Sequence, residues 1–314
     1  MATQSQNEGE TELRPVSTVH AFPTDYFVEN LAVRPNGDIL VTVLNRNELY
    51  NVSPAGGDPK ATLVHTFATA VSGIVEVGTD IFYVSSGAFG SLGTFVIWKV
   101  DLTSFTGGTS NSASVTKLID IPDAIFLNGS ALLSAEKSLF LTVDSLLGTI
   151  FRIDVAAPSV TTWYQSQRLT KCTDNPSMPG ANGIKLFGSH AYISNSDARE
   201  LLRVALHPTD PNAPPTGDLK TVMTDCIVDD FAFDAHGAAY LTTHLYNSVV
   251  KLTPEGQRSR IAGGPEDREV AGTTACAFAR GDGDGGVLYV TTNGGMSGPI
   301  GGEVGAGRLL RVEI

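Results

Sequence analysis

Two distant stretches are written to one pattern: Glu29 to Thr42 reads E-N-L-A-V-R-P-N-G-D-I-L-V-T, and Asp229 to Thr243 reads D-D-F-A-F-D-A-H-G-A-A-Y-L-T-T. In each, an acidic residue opens an apolar run, a glycine (Gly37, Gly237) follows eight positions later, and a second apolar run comes after it. Apolar strand, polar or glycine turn, apolar strand is a hairpin signature. Four more copies begin at Ser72 (S-G-I-V-E-V-G), Asn128 (N-G-S-A-L-L-S), Asn182 (N-G-I-K-L-F-G) and Thr273 (T-T-A-C-A-F-A). A third apolar run follows in each copy: Leu49 to Val52, Val96 to Val100, Thr149 to Ile153, Leu201 to Val204, Val249 to Leu252 and Arg308 to Val312. Six supersecondary units repeated at about 45 to 55 residues describe a radial repeat architecture.

The expected fold is therefore all-β, a six-bladed β-propeller with four-stranded blades. Such a ring leaves short, protected edges only if it closes on itself. The last copy has three strands, and Val16 to Phe22 is a spare apolar strand with no repeat of its own, so this N-terminal strand is expected to close the last blade. Residues 1–14 are expected to be a disordered segment and 15–314 one propeller domain. No sustained 3.6-residue apolar period supports a helical alternative.

The bulk properties exclude some partners. Of 314 residues, 42% are hydrophobic and 17% charged, which suits a single large core. A formal charge of −12 without a Lys/Arg cluster argues against nucleic acid as a partner. No apolar run is long enough to span a membrane. Localisation is left open: a secretory route if a leader has been removed, otherwise the cytoplasm. Asn51 and Asn128 head N-glycosylation sequons. The three cysteines have neither zinc nor thioredoxin spacing. Cys172 and Cys226 precede consecutive repeats, so a disulfide between them and two free thiols are both open expectations, whereas Cys276 reads as a buried strand thiol.

Each innermost strand starts at one face of a propeller, so Glu29, Ser72, Asn128, Asn182, Asp229 and Thr273 should ring the channel mouth. Two carboxylates and two amides at one repeat position form an all-oxygen set suited to Ca²⁺ or another hard divalent cation. The competing reading is that Asp and Asn at strand starts simply bond backbone N–H groups. Tyr26, Phe27, Phe126 and Phe231 are read as part of the segments leading into the anchors, and Phe89, His244, Tyr246 and Met296 sit on loops after the second strands. They give the expected mouth apolar walls and few polar groups, the makeup of a small-molecule site. There is no Gly-x-Ser-x-Gly elbow, and His244 is the one histidine placed at the mouth.

The layout and anchors resemble the gluconolactonase and senescence-marker (regucalcin-like) propellers. The resemblance covers nearly the whole chain from about residue 20. It implies a divalent cation held by Glu29, Asn182 and Asp229, with Asn128 on the substrate side. The neighbours differ from the family pattern, Glu29-Asn30-Leu31 standing for Glu-Gly-Pro and Asp229-Asp230-Phe231 for Asp-Gly-Met. Relatives of this family resemble natural-product enzymes, among them fungal hetero-Diels-Alder cyclases that join a terpene to a tropolone quinone methide. The preferred expectation is a cyclase acting on small apolar or polycyclic partners. It would require no cofactor, with His244, Tyr246, Asn128 and Asp229 as catalytic candidates and Tyr26, Phe27, Phe89, Phe126, Phe231 and Met296 as substrate contacts. The alternatives are a Ca²⁺- or other divalent-metal-dependent lactonase and a non-catalytic binding propeller.

Overall fold

The computed structural model describes residues 10–54, 60–106, 113–173, 175, 178–280 and 286–314. Six sheets form six blades, and blades 1 to 5 run from an inner to an outer strand in chain order. Blade 1 is Val28–Val33, Ile39–Val43, Glu48–Ser53 and Lys60–Thr66. The inner strands of blades 2 to 6 are Ala70–Gly78, Leu127–Ser134, Ala181–Phe187, Phe231–Phe233 and Thr273–Phe278. Val16–Thr24 completes blade 6 by pairing antiparallel with Ala306–Glu313, Val16 opposite Val312 and His20 opposite Leu309. The expected closure by the N-terminal strand is thus present.

The N-terminal segment differs in part from its expectation. Glu10–Thr11 adds a fifth, parallel strand to the outside of blade 5, with Glu10 opposite Ser259 and Thr11 opposite Arg260. The amides of Glu12 and Arg14 then donate to the carbonyls of Arg260 and Ile261. Backbone pairing with an open sheet edge orders a segment whose polar side chains gave no such signal. Residues 1–9 of the expected disordered segment lie outside the described residues.

Strand composition follows radial position. Second strands are packed between neighbouring blades on both faces, so Ile39–Val43, Leu139–Asp144 and Val287–Thr292 are buried throughout and read as nearly continuous apolar runs. Outer strands such as Ser114–Ile121 alternate polar and apolar residues and expose one face. Leu40 and Leu49 of blade 1 pack with Val71, Ile74 and Phe82 of blade 2, and equivalent clusters fill the other gaps. Polar ties cross the same gaps. The Thr42 hydroxyl donates to Ser72 O at 2.9 Å, Ser194 to Asp229 O at 2.7 Å and Thr242 to Thr274 O at 2.8 Å. Arg34, 1% exposed, reaches from blade 1 to both carboxylate oxygens of Asp80 in blade 2 at 2.9 and 2.7 Å.

Among the described residues no helix is long and apolar enough to cross a membrane. All three cysteines are free, Cys172 exposed and Cys226 buried, so the Cys172–Cys226 disulfide is not formed. Cys276 is a buried thiol in the inner strand of blade 6. Asn51 and Asn128, the two sequon asparagines, are 2% and 3% exposed, inside the fold where a glycan has no room.

Candidate active site at the channel mouth

The anchors sit at irregularities in the strand ladder. Register shifts fall between Val71 and Ile74, Leu127 and Ser130, Ala181 and Ile184, and Thr273 and Cys276. Extra residues of this kind re-aim side chains, and here they turn Asn128 and Asn182 out of their sheets into the mouth. Glycine follows the anchor in blades 2, 3 and 4 because the next inner strand is in contact there. A Cβ at Gly129 would stand 2.5 Å from Asn182 O and 2.9 Å from the Gly183 Cα. In blade 5 the corresponding position is Asp230, whose buried carboxylate is held by Lys185 Nζ at 2.6 and 2.7 Å.

Four of the six anchors, Glu29, Asn128, Asn182 and Asp229, line one cavity of about 360 Å³. Ser72 and Thr273 do not. Their hydroxyls donate to Leu127 O at 2.8 Å and Ser248 O at 3.0 Å, tying one blade to the next. Above the polar floor stand Phe27, Leu44, Phe89, Phe126, Leu146, Met178 and Pro179. Phe89 and Phe126 stack at 4.2 Å between centroids, and Phe27 lies 6.2 Å from the His244 ring.

The floor is a hydrogen-bonded unit. Asn182 Nδ2 donates to Asp229 Oδ1 at 2.5 Å and to Ser196 Oγ at 3.0 Å. Ser196 Oγ in turn donates to Val228 O at 2.7 Å. His244 Nδ1 stands 2.6 Å from Asp229 Oδ2, with the ring turned so that Nδ1 makes no hydrogen bond of ordinary geometry among the described residues. His244 adopts φ +23° and is held there by a backbone bridge to Thr273. A side chain kept in a sparsely populated backbone region marks a position fixed by its surroundings. Burial raises the Asp229 carboxyl above its ordinary value; His244 and Asn182 offset only part of this, and Asp230 adds to it. Burial, together with Asp229 and Asp230, pushes Glu29 well above the usual carboxylate range. Glu29 is 7% exposed and has no side-chain hydrogen bond among the described residues.

The structure brings Phe27, Phe89 and Phe126 into this cavity with the four anchors and His244, and leaves other expected site residues outside it. Phe231 is fully buried between blades 4 and 5 with Leu201, Leu241 and Val250. Asp229 and Asp230 both oppose Thr242 across the ladder, so the chain switches faces just before Phe231. Tyr26 stacks on Phe22 at 5.9 Å, beneath the Arg46 guanidinium. Met296 is held in a turn by Asn293 Oδ1, and it is the next residue, Ser297, that reaches the cavity. Tyr246 follows His244 on a turn closed by its amide to Thr243 O and does not line the cavity. Sequence reading missed Lys171, Met178 and Pro179 on the loop joining blades 3 and 4. The unusual length of that loop was the available signal.

As arranged, the residues do not fit the divalent cation that the resemblance implies. Both Asp229 oxygens are already in contact with nitrogen, Oδ1 with the Asn182 amide and Oδ2 with His244 Nδ1. Asn182 turns its NH₂ toward the carboxylate. Among the described residues, no three His, Cys, Asp or Glu side chains form a metal-binding group.

No family model matches the chain. It is 30% identical over 88% of its length to a protein of Sarocladium schorii provisionally named hetero-Diels-Alderase asR5, of which it covers 78%. It is 26% identical over 89% of its length to a Phoma protein given the same provisional activity, of which it covers 87%. Among solved structures, it matches a luciferin-regenerating enzyme with TM-score 0.71 at 14% identity, covering 96% of this chain and 95% of that one. A calcium-binding regucalcin of Agrobacterium tumefaciens matches with TM-score 0.67 at 16% identity, covering 97% and 96%. A gluconolactonase of Xanthomonas campestris matches with TM-score 0.64 at 12% identity, covering 95% and 89%. The fold is thus that of the gluconolactonase and regucalcin-like propellers, and by sequence the chain belongs to the hetero-Diels-Alderase family that the two fungal relatives represent.

Proposed function

We propose that the protein is a natural-product cyclase that joins two small apolar partners by an intermolecular hetero-Diels-Alder reaction at the channel mouth. The observation carrying this reading is an apolar-walled cavity over a buried floor of Glu29, Asn128, Asn182, Asp229 and His244, without a nucleophile and base in contact. Ser196, the serine at the floor, is bonded to Asn182 and Val228 O and not to His244.

The reaction makes few demands on a protein. A 1-oxadiene (C=C–C=O) and an alkene form one C–C and one C–O bond as three π bonds reorganise into one, with no leaving group and no net proton transfer. Catalysis then consists of holding the partners face to face, which is worth up to several orders of magnitude, and of donating a hydrogen bond to the oxadiene oxygen. The aromatic wall of Phe27, Phe89 and Phe126 serves the first need. His244, paired with Asp229, and the Asn128 amide, which has one N–H on Ser145 Oγ at 3.3 Å, serve the second. Purified protein supplied with an ortho-quinone methide released in situ and a cyclic alkene should give faster, enantioenriched dihydropyran. Racemic product at the uncatalysed rate would sink the reading.

The second reading, a metal-assisted lactonase, draws on the shared anchors Glu29, Asn182 and Asp229 and on the fold neighbours. It requires His244 to leave Asp229 before an ion can bind. Lactone hydrolysis that depends on added divalent cation would favour it over the cyclase.

A further inference from the structure

The linkers joining an outer strand to the next inner strand are mostly short, with 67–69 between blades 1 and 2 and 122–126 between blades 2 and 3. The linker 166–180 between blades 3 and 4 is much longer, a length that is uncommon in compact domains. Its two ends are firmly fixed. Asn195 Nδ2 donates to Arg168 O at 2.8 Å and Thr170 O at 3.0 Å, and Asp197 Oδ2 accepts the amides of Cys172 and Thr173 at 2.7 Å each. Further on, Gly180 N bonds Ser145 O at 3.0 Å. Between these ties the linker sets Lys171 on the cavity wall.

Lys171 is the one lysine or arginine among the described residues lining the cavity, and it is half-buried. Its Nζ bonds the neutral Asn175 O at 2.6 Å and pairs with no carboxylate among the described residues. An ammonium has three N–H donors, and this is the one hydrogen bond that Nζ makes among the described residues. A cation at the cavity wall with no carboxylate partner among the described residues is set to accept an anionic oxygen from a ligand, and reduced solvent screening strengthens that attraction.

We propose that Lys171 forms an anion subsite on the wall of the cavity, selecting a substrate whose apolar ring system carries one acidic oxygen, either a carboxylate or a phenolate-type enolate. The proposal rests on the cavity being the substrate site but not on the reaction performed there. The test is equilibrium binding at neutral pH, using 2-naphthoate against methyl 2-naphthoate and 4-nitrophenolate against 4-nitroanisole. Wild-type protein should bind at least one anion about tenfold more tightly than its neutral ether or ester. Lys171→Met should erase that preference with the neutral probes little changed, and Lys171→Arg should keep most of it. Preference for the carboxylate alone or for the phenolate alone identifies which oxygen acid the subsite takes. An unchanged preference in Lys171→Met, or no anion preference in the wild type, overturns the subsite, as does failure of all four probes to bind. Loss of cyclase turnover alongside an intact Lys171-dependent preference would overturn the reaction assignment and leave the subsite standing. Thermal melting of both variants establishes that they are folded.

Discussion

His244 Nδ1 and Asp229 Oδ2 meet at 2.6 Å across the mouth of blade 5, one from the turn after the second strand and one from the start of the inner strand. Each is more than nine-tenths buried. The contact joins the two side chains, and the imidazole carries at least one N–H in either neutral tautomer or in its charged form. If His244 is the donor to the oxadiene oxygen, His244→Ala should lower kcat by about a hundredfold, the usual cost of one preorganised donor. His244→Gln, which retains a neutral N–H donor, should recover part of that loss. Wild-type turnover in His244→Ala, with a normal melting temperature, would remove His244 from the chemistry.

The docking of the long linker carries its own pH signature. Burial would raise the Asp197 carboxyl, but the Thr173 hydroxyl and the amides of Thr173 and Cys172 outweigh it and hold the group below its ordinary value. A carboxylate depressed in the folded state contributes stability that is fully present above its unfolded pKa of about 3.9 and is lost as pH falls through the folded value. Asp197→Asn should therefore lower stability by about 2 kcal/mol near neutrality. The gap to wild type should stay constant down to about pH 4 and narrow below it. Thermal melts of the two proteins as a function of pH check this, and a gap independent of pH would mean that the charge does not hold the linker.

The glycine after each anchor amide makes a packing prediction. At Gly129 a methyl group would press on Asn182 O and the Gly183 Cα, backbone atoms that cannot swing aside. Gly129→Ala should cost about 3 kcal/mol, at the upper end for forcing one extra group into a packed interior. Gly217 is the control: its φ of +89° favours glycine, but nothing lies within 4 Å of an added Cβ. Gly217→Ala should cost about 1 kcal/mol from backbone strain alone. Denaturant midpoints at unchanged slope would separate the two, and equal losses would show that inner-strand contact is not what requires Gly129.

The fold and about half of the site were legible in the sequence, and the reason is periodicity. A blade cannot bury its faces alone, so each repeat writes the same apolar runs and starts its inner strand at the same offset. That offset alone brought Glu29, Asn128, Asn182 and Asp229 to one cavity. Phe27 and Phe126 were legible for a related reason: each stands two residues before its anchor and shares its direction. Phe231 stands two residues after Asp229, where the doubled pairing to Thr242 reverses the alternation, and no propensity reports that reversal. Lys171, Met178 and Pro179 lie in the linker that breaks the repeat, so the method that found the anchors had no position to assign to them.

The remaining prediction separates the cyclase from the lactonase through Asp229. A hard divalent cation would need six to eight oxygen ligands, and here it would have to displace His244 from one Asp229 oxygen and the Asn182 NH₂ from the other. A ligand bound only to the folded state at a hundred times its Kd adds about 2.7 kcal/mol of stability, which a melting curve readily detects. On the cyclase reading, chelator followed by millimolar Ca²⁺ leaves both the melting temperature and the cycloaddition rate unchanged in wild type. His244→Ala then becomes the informative background. Removing the competing imidazole frees one Asp229 oxygen, so a Ca²⁺-dependent rise in melting temperature should emerge in that variant if the anchors still form a cation site. A Ca²⁺-dependent rise already present in wild type, accompanied by lactone hydrolysis, would show that the ion and not His244 is the native partner of Asp229, and the cyclase assignment would fall with it.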